Sequence, residues 1–109
     1  MKYTSEIRSN TVIISLSGDL IGENDGTGIL SLATEAINQH ITNCIINIAD
    51  LRYINSSGIG VLITILTKFR NKGGEVYLLN PSESVKKLLV ITKLNAIFQV
   101  IRNPEEVIG

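Results

Sequence analysis

The stretch Tyr53-Ile54-Asn55-Ser56-Ser57-Gly58-Ile59-Gly60 lies where an apolar strand gives way to an apolar helix. The strand, Cys44-Ile45-Ile46-Asn47-Ile48, is β-branched and nearly continuous, which is typical of the centre of a parallel sheet. Asn55 belongs to the residue types that cap helices, so we predict a helix that begins at Ser56. A serine there lies at the positive end of the helix dipole, where an added phosphate is stabilised. The junction therefore predicts a serine that can carry a switchable charge.

Further strands and helices are predicted on both sides of this junction. Alternating or continuous apolar runs indicate strands, and apolar residues at helical spacing indicate helices. In order, we predict strands at 3–7 and 12–16, a loop at 18–28, a helix at 29–40, a strand at 44–49, a helix from 56 to the glycine pair 73–74, a strand at 75–79, a helix that Asn80 caps and that reaches about residue 92, a strand at 97–101 and a final helical turn after 104. This order predicts an α/β domain with a mixed sheet of four to five strands, an N-terminal hairpin, parallel later strands and packed helices, in a single domain over residues 1–109.

Composition narrows the class of protein. The chain has 109 residues, of which 44% are hydrophobic, and its ten basic and ten acidic residues cancel. The apolar fraction excludes a disordered tail, and the balanced charge gives no nucleic-acid footprint. We find neither a leader nor an apolar run long enough to span a bilayer, so we expect a soluble, cytoplasmic protein with no membrane partner. Cys44 is interpreted as a buried small apolar residue.

The helix that begins at Ser56 has two predicted faces. Steps of about 100° per residue place five apolar residues against the sheet, namely Ile59, Leu62, Ile63, Leu66 and Phe69. The opposite face carries Val61, Thr64, Ile65 and Lys68, and Gly60 thins the helix near its start. The pattern favours a shallow apolar docking patch beside Ser56. The alternative is that Val61 and Ile65 are isolated exposed aliphatic residues without a function.

Catalytic and ligand-binding motifs are weak. His40 is the one histidine, and it falls at the end of the predicted first helix, where a cation suits the dipole. The serines lie outside a Gly-x-Ser-x-Gly elbow, and the glycines fit neither a dinucleotide nor a phosphate-binding loop. Asp19, Glu23 and Asp25 are acidic residues in one polar loop, which are usually solvated but can hold a hard cation. We expect a protein that is not an enzyme, with no cofactor and no metal site of its own.

The sequence resembles the STAS-domain family, and in particular its bacterial anti-sigma factor antagonists. The resemblance covers nearly the whole chain and includes Gly18-Asp19-Leu20, Asp50-Leu51 at the end of the apolar strand, and the stretch from Ile54 to Gly60. Further matches are Gly73-Gly74 before a strand, Asn80-Pro81 before Val85-Lys86-Lys87-Leu88-Leu89, and Thr92-Lys93-Leu94 before the last strand. It implies a STAS fold.

The same resemblance implies a function as a partner switch. Ser56 matches the serine that is phosphorylated by a kinase which is also the anti-sigma factor, and a phosphoserine phosphatase reverses the modification. Asn55, Ser57 and Gly58 would surround the phosphosite, and the contact surface would include Gly60, Val61, Thr64, Ile65 and Lys68. Two residues depart from the family pattern, because Asn55 and Ile21 stand where the family usually has acids. Asp19 and Glu23 are also expected in the surroundings of the phosphosite, and the loop residues Glu23 and Asp25 are candidates for a substitute carboxylate.

Two other functions remain open at this level. The chain fits a constitutive subunit that is never phosphorylated, such as the small STAS partner of a lipid-transport ATPase complex. A small enzyme or nucleotide-binding protein is the third possibility, and the missing catalytic base and phosphate loop count against it. For each we expect a monomer or a weak dimer.

Overall fold

The strand before Asn55 is the centre of the sheet. β3 (Asn43–Ile54) has β2 (Thr11–Leu20) on one side and β4 (Glu75–Leu79) on the other, and both run parallel to it. Ile45 and Ile46 point to opposite faces of the sheet, and both are fully buried. A strand that is covered on both faces requires apolar residues in succession, which explains the nearly continuous apolar run in the sequence.

A computed structural model describes residues 1–108, except for the side chains of residues 22–25. The sheet has five strands in the order β1-β2-β3-β4-β5, of which only β1 is antiparallel to its neighbour. The remaining elements are β1 (Lys2–Arg8), α1 (Gly22–Asn38), α2 (Ser56–Arg70), α3 (Glu83–Ile91), a 3-10 turn (Leu94–Ala96), β5 (Gln99–Ile101) and α4 (Glu105–Ile108). The predicted fold class, element order and N-terminal hairpin are confirmed.

Two apolar clusters hold the layers together. The larger lies between the sheet and the helices α1, α2 and α3, and it contains Ile46, Leu78 and Phe69 among its fully buried members. The smaller lies on the other face of the sheet, where Val107 and Ile108 of α4 pack against strand residues. The three long helices therefore share one face, and α4 covers part of the other.

The first helix begins earlier than predicted. Residues 22–28 are helical in the structure, whereas the sequence analysis placed them in a loop because they are rich in glycine, asparagine and aspartate. Gly26 and Gly28 lie where α1 packs closely against its neighbours instead. A Cβ atom on Gly26 would overlap the Val61 side chain of α2, and one on Gly28 would overlap the Tyr3 ring of β1. These glycines allow α1 to approach its neighbours closely, which outweighs their low helix propensity.

The element ends show smaller differences. Ser82 rather than Asn80 caps α3, since the Ser82 hydroxyl accepts a hydrogen bond from the Val85 N–H at 3.4 Å. Asn80 has a positive φ of 56° and donates its own N–H to the Ile101 carbonyl at 2.8 Å. The glycine pair after α2 was predicted correctly, and Gly73 has the positive φ of 78° that favours glycine.

Candidate functional site

The candidate site forms where β2 and β3 end side by side. Leu20 is paired with Ile54, and the Asn55 N–H then donates to the Leu20 carbonyl at 3.3 Å. Ile21, which follows Leu20, is 45% exposed. The end of β2 is thus held against the start of α2, and Ile21 lies close to Asn55.

Asn55 caps α2, as predicted. Its backbone is extended, and its side-chain oxygen accepts a hydrogen bond from the Gly58 N–H at 2.9 Å. The Asn55 carbonyl accepts from the Ile59 N–H at 2.9 Å, which is the first bond of the helix. The cap satisfies one of the free N–H groups of the first turn without adding a negative charge.

Ser56 is the first residue of α2, and it is exposed together with Ser57. The first turn contains no acidic residue, whereas the last turn carries Lys68 and Arg70. The positive end of the α2 dipole is therefore not neutralised by a carboxylate of its own helix. An exposed hydroxyl at this end is accessible to a modifying enzyme, and a negative group attached to it would be stabilised by the dipole.

Gly58 lets the start of α2 approach the end of β2. A Cβ atom at this position would lie 2.5 Å from the Leu20 carbonyl oxygen and 2.7 Å from Cγ1 of Ile54. Gly60, two residues later, is exposed and has no atom within 4 Å of the same test position. The two glycines therefore have different roles, one in packing and one on the surface.

Alanine substitutions at the two glycines are expected to change stability in opposite directions. Gly58→Ala should lower the free energy of unfolding by about 1–3 kcal/mol, because the backbone oxygen of Leu20 cannot move aside cheaply. Gly60→Ala should raise it by about 0.5–1 kcal/mol, because alanine restricts the unfolded chain and meets no neighbour. Urea unfolding of both variants checks the prediction, and equal effects would contradict the packing assigned to Gly58.

Asp19 takes part in a surface ion pair. It lies next to Tyr53 in the strand register, and its carboxylate is 3.5 Å from Nε of Arg52. The two side chains are 40% and 77% exposed, so the pair adds little to stability. The side chains of Glu23 and Asp25, the other acidic candidates, lie outside the described residues. Over the remaining side chains of residues 1–108, no three potential metal ligands come together.

The docking patch predicted on α2 is wrong in two of its members. Val61 is 8% exposed and Ile65 is fully buried. The prediction assumed that only the sheet covers α2, but α1 packs against it as well, as the contact between Val61 and Gly26 shows. A helix that is covered from two directions buries a wider arc, so both residues belong to the core.

The exposed side of α2 is a stripe that starts at Ser56. We call it the α2 stripe, and its members are Ser56, Gly60, Ile63, Thr64 and Thr67. Ile63, which was predicted to face the sheet, is 38% exposed and lies two turns from Ser56 on the same side. Lys68 is also exposed, at the margin of this side.

Two exposed apolar side chains near Ser56 were missed by the sequence analysis. Tyr53 is 55% exposed and is the next-to-last residue of β3, and Ile21 is 45% exposed and directly follows β2. Strict alternation could not have found Tyr53, because β3 departs from it after Ile48: Leu51 and Ile54 are both buried, and Tyr53 lies exposed between them. Ile63 is a third exposed apolar side chain, two turns along α2 from Ser56.

Cys44 is buried, as predicted. It is fully enclosed, and burial raises the pKa of its thiol well above the ordinary value. The thiol therefore stays protonated and acts as an apolar packing group. None of the helices over residues 1–108 has the length and apolar character needed to cross a membrane.

The fold and this junction define a family. A five-stranded mixed sheet with an N-terminal hairpin and a capped helix after its central strand is the arrangement that the sequence resemblance implied. The sequence model of the STAS domain matches residues 2–107. The chain belongs to the STAS-domain family.

Similar proteins include several named as anti-sigma factor antagonists. A Thermotoga maritima protein with that name is 29% identical over 98 residues, which cover 90% of this chain and 87% of its own length. The structure of the anti-sigma factor antagonist SpoIIAA in its unphosphorylated form is 28% identical with a TM-score of 0.83, and the match covers 98% of this chain and 93% of SpoIIAA. The phosphorylated form of SpoIIAA from Bacillus is also 28% identical and has a TM-score of 0.76. This match covers 98% of this chain and 96% of SpoIIAA.

Proposed function

We propose that this protein is an anti-sigma factor antagonist of the bacterial cytoplasm, built as a single STAS domain, and that phosphorylation of Ser56 controls it. The observation that carries the proposal is an exposed serine at the first position of a capped, 15-residue helix. Its partner is a kinase-type anti-sigma factor, which binds the unphosphorylated form and phosphorylates it. A phosphoserine phosphatase returns the protein to the binding form.

The contact surface in this proposal is the α2 stripe together with Ile21 and Tyr53. Tyr53, Ile21 and Ile63 expose apolar surface, and burial of this surface would stabilise a complex. Gly60 lets the backbone of a partner approach the helix, because nothing occupies the space where its Cβ would lie. Lys68 offers a positive charge at the margin. Val61 and Ile65 are left out, because they are part of the core.

The switch follows from charge and desolvation. A phosphate adds about 1.5 to 2 negative charges, which the free protein tolerates because the α2 dipole and water stabilise them. Inside an interface the same charges lose water and gain no counter-charge unless the partner supplies one. Phosphorylation is thus expected to release the partner while leaving the fold intact.

The similar proteins support this function. SpoIIAA is known in unphosphorylated and phosphorylated forms, and its fold covers nearly the whole of this chain. Asn55 keeps the capping hydrogen bond without a carboxylate, and Ile21 places an aliphatic group beside it. We expect a kinase partner whose contacts near Ser56 do not need an acid at either position. Asn55 and Ile21 also support the second candidate function, a STAS subunit that is never phosphorylated. This candidate is the correct one if no kinase acts on Ser56.

The antagonist function is tested by release of a sigma factor. The protein should be added to a purified complex of the cognate anti-sigma factor with its sigma factor, and free sigma factor should be measured by size-exclusion chromatography. We expect release that rises with the amount of protein added. A complex that stays intact at a large excess of the unphosphorylated protein would contradict the proposed function.

A further inference from the structure

A second surface lies at the outer edge of β5, beside the last turn of α3. It is an open groove of about 720 Å³, which we call the β5 groove. Buried Leu89 and Phe98 form its floor. Its walls combine exposed aliphatic side chains, since Val90 is 61% exposed, Val100 42% and Ile97 38%, with the polar side chains of Asn95 and Gln99. Aliphatic and polar side chains that meet in one concave place are a common feature of binding sites.

The β5 groove lies far from Ser56. α2 begins at Ser56 and ends at Arg70, and Arg70 lines the groove. A helix of 15 residues is about 22 Å long, so the groove is roughly one helix length from the proposed phosphosite. A ligand in the groove would not meet a charge on Ser56, and at this distance salt would screen most of the remaining field.

The charged side chains that face the groove are cations. The charged side chains that line it are Arg70 and Lys86. An adjoining shallow depression is lined by Lys86 and Lys87 together with Val90 and Ile91, of which Ile91 is 77% exposed. Among the described residues, neither surface is lined by a carboxylate, so both are complementary to an acidic ligand.

Two of these cations form ion pairs with carboxylates. Glu75 is 3.1 Å from Nε of Arg70, and Glu83 is 3.5 Å from Nζ of Lys86. Arg70 also donates to the Ile97 carbonyl at 2.7 Å, which fixes the groove wall. Exposed ion pairs of this kind contribute only about 0–1 kcal/mol, so they do not prevent the cations from contacting a ligand.

The main chain of β5 is available on one side. The Ile101 carbonyl points towards β4, because it accepts from the Asn80 N–H at 2.8 Å. Successive residues of a strand direct their N–H and C=O groups to opposite sides, so those of Val100 point to the free edge of the sheet. An extended segment can hydrogen-bond there and place alternate side chains against Val90 and Ile97.

We propose that the β5 groove binds an extended, acidic and apolar segment of a partner protein, which adds as a strand beside β5. This interaction goes beyond the proposed switch, because it does not involve Ser56 and is independent of its phosphorylation. The concave walls and the free strand edge favour a peptide over a flat anionic bilayer, although both share the negative charge. The groove therefore gives the protein a second, constant attachment beside the switchable one.

The test uses a synthetic peptide in which valine or isoleucine alternates with glutamate. The ¹⁵N-labelled full-length protein is titrated with it to about 1 mM, and amide chemical shifts are followed. We expect shifts at Val90, Ile97 and Val100, and the same affinity for the Ser56→Asp variant. The proposal is overturned if these amides do not move, or if a peptide with lysine in place of glutamate moves them equally.

Charge reversal supplies the matched control. The double variant Lys86→Glu, Lys87→Glu should lower the affinity for the acidic peptide at least about fivefold. Lys2→Glu, on the opposite edge strand, should leave this affinity unchanged. Equal weakening by both variants would show a non-specific charge effect and overturn the proposal. Sedimentation with phosphatidylglycerol vesicles should show no binding, and vesicle binding without peptide binding would assign the surface to a lipid instead. None of these outcomes depends on release of a sigma factor, so this proposal and the proposed function can fail separately.

Discussion

Replacing Ser56 by aspartate is expected to weaken binding to the kinase-type anti-sigma factor by at least about tenfold, which corresponds to about 1.4 kcal/mol. The new carboxylate would be stabilised in the free protein by the α2 dipole but would lose water in the interface. Ser56→Ala should bind as tightly as the native protein, because it adds no charge and Ser56 is exposed. Isothermal titration calorimetry of the two variants checks both expectations.

Ser84→Asp is the matched control for this substitution. Ser84 is an exposed serine in the first turn of α3, so its replacement adds the same charge near another helix start. Both aspartate variants should keep or slightly raise thermal stability, by the few tenths of a kcal/mol typical of an acid at this end of a helix. Only Ser56→Asp should lose partner affinity. A comparable loss from Ser84→Asp would show that net charge, and not the position of Ser56, decides binding.

The second large effect concerns the core of α2. Ile65→Ala is expected to lower the free energy of unfolding by about 2–5 kcal/mol, because Ile65 is fully buried and its loss leaves a cavity between α1, α2 and the sheet. Ile63→Ala, two residues away and 38% exposed, should cost less than about 1 kcal/mol. Chemical denaturation of the two variants measures the difference.

The same two substitutions are expected to have the opposite order of effect on partner binding. Ile63→Ala should weaken partner binding, because Ile63 lies on the α2 stripe, whereas Ile65→Ala should leave the affinity of the folded fraction nearly unchanged. A stable Ile65→Ala protein that fails to bind would restore Ile65 to the contact surface and contradict the structure.

Local signals in the sequence were sufficient to predict most of the fold. The continuous apolar residues of β3 identified a central strand, and Asn55 and the glycine pair at 73–74 identified both ends of α2. These signals work because a capping bond or a positive φ involves only neighbouring residues. The position of Ser56 as the first residue of α2 followed from the same cap.

The sequence could not reveal which elements cover a helix. Val61 and Ile65 were assigned to the solvent-exposed face of α2. Hydrophobic periodicity identifies the faces of one helix, but it does not show which other elements pack against them. The glycines at 26 and 28 indicated a loop, although their role is to let α1 approach Val61 and Tyr3. Tyr53 and Ile21 lie near each other because β2 and β3 end side by side, and this pairing could not be read from the sequence. Each of these errors concerns a contact between residues that are distant in the chain.

The most direct measurement of the central claim is the position of the phosphate. The protein, its Ser56→Ala variant and its Ser57→Ala variant should each be incubated with the cognate anti-sigma kinase and ATP, and then digested and analysed by mass spectrometry. We predict one phosphate on Ser56 in the native protein and in Ser57→Ala, and none in Ser56→Ala. Phosphate on Ser57 or on another residue, or an unmodified Ser56 in the presence of an active kinase, would contradict the account.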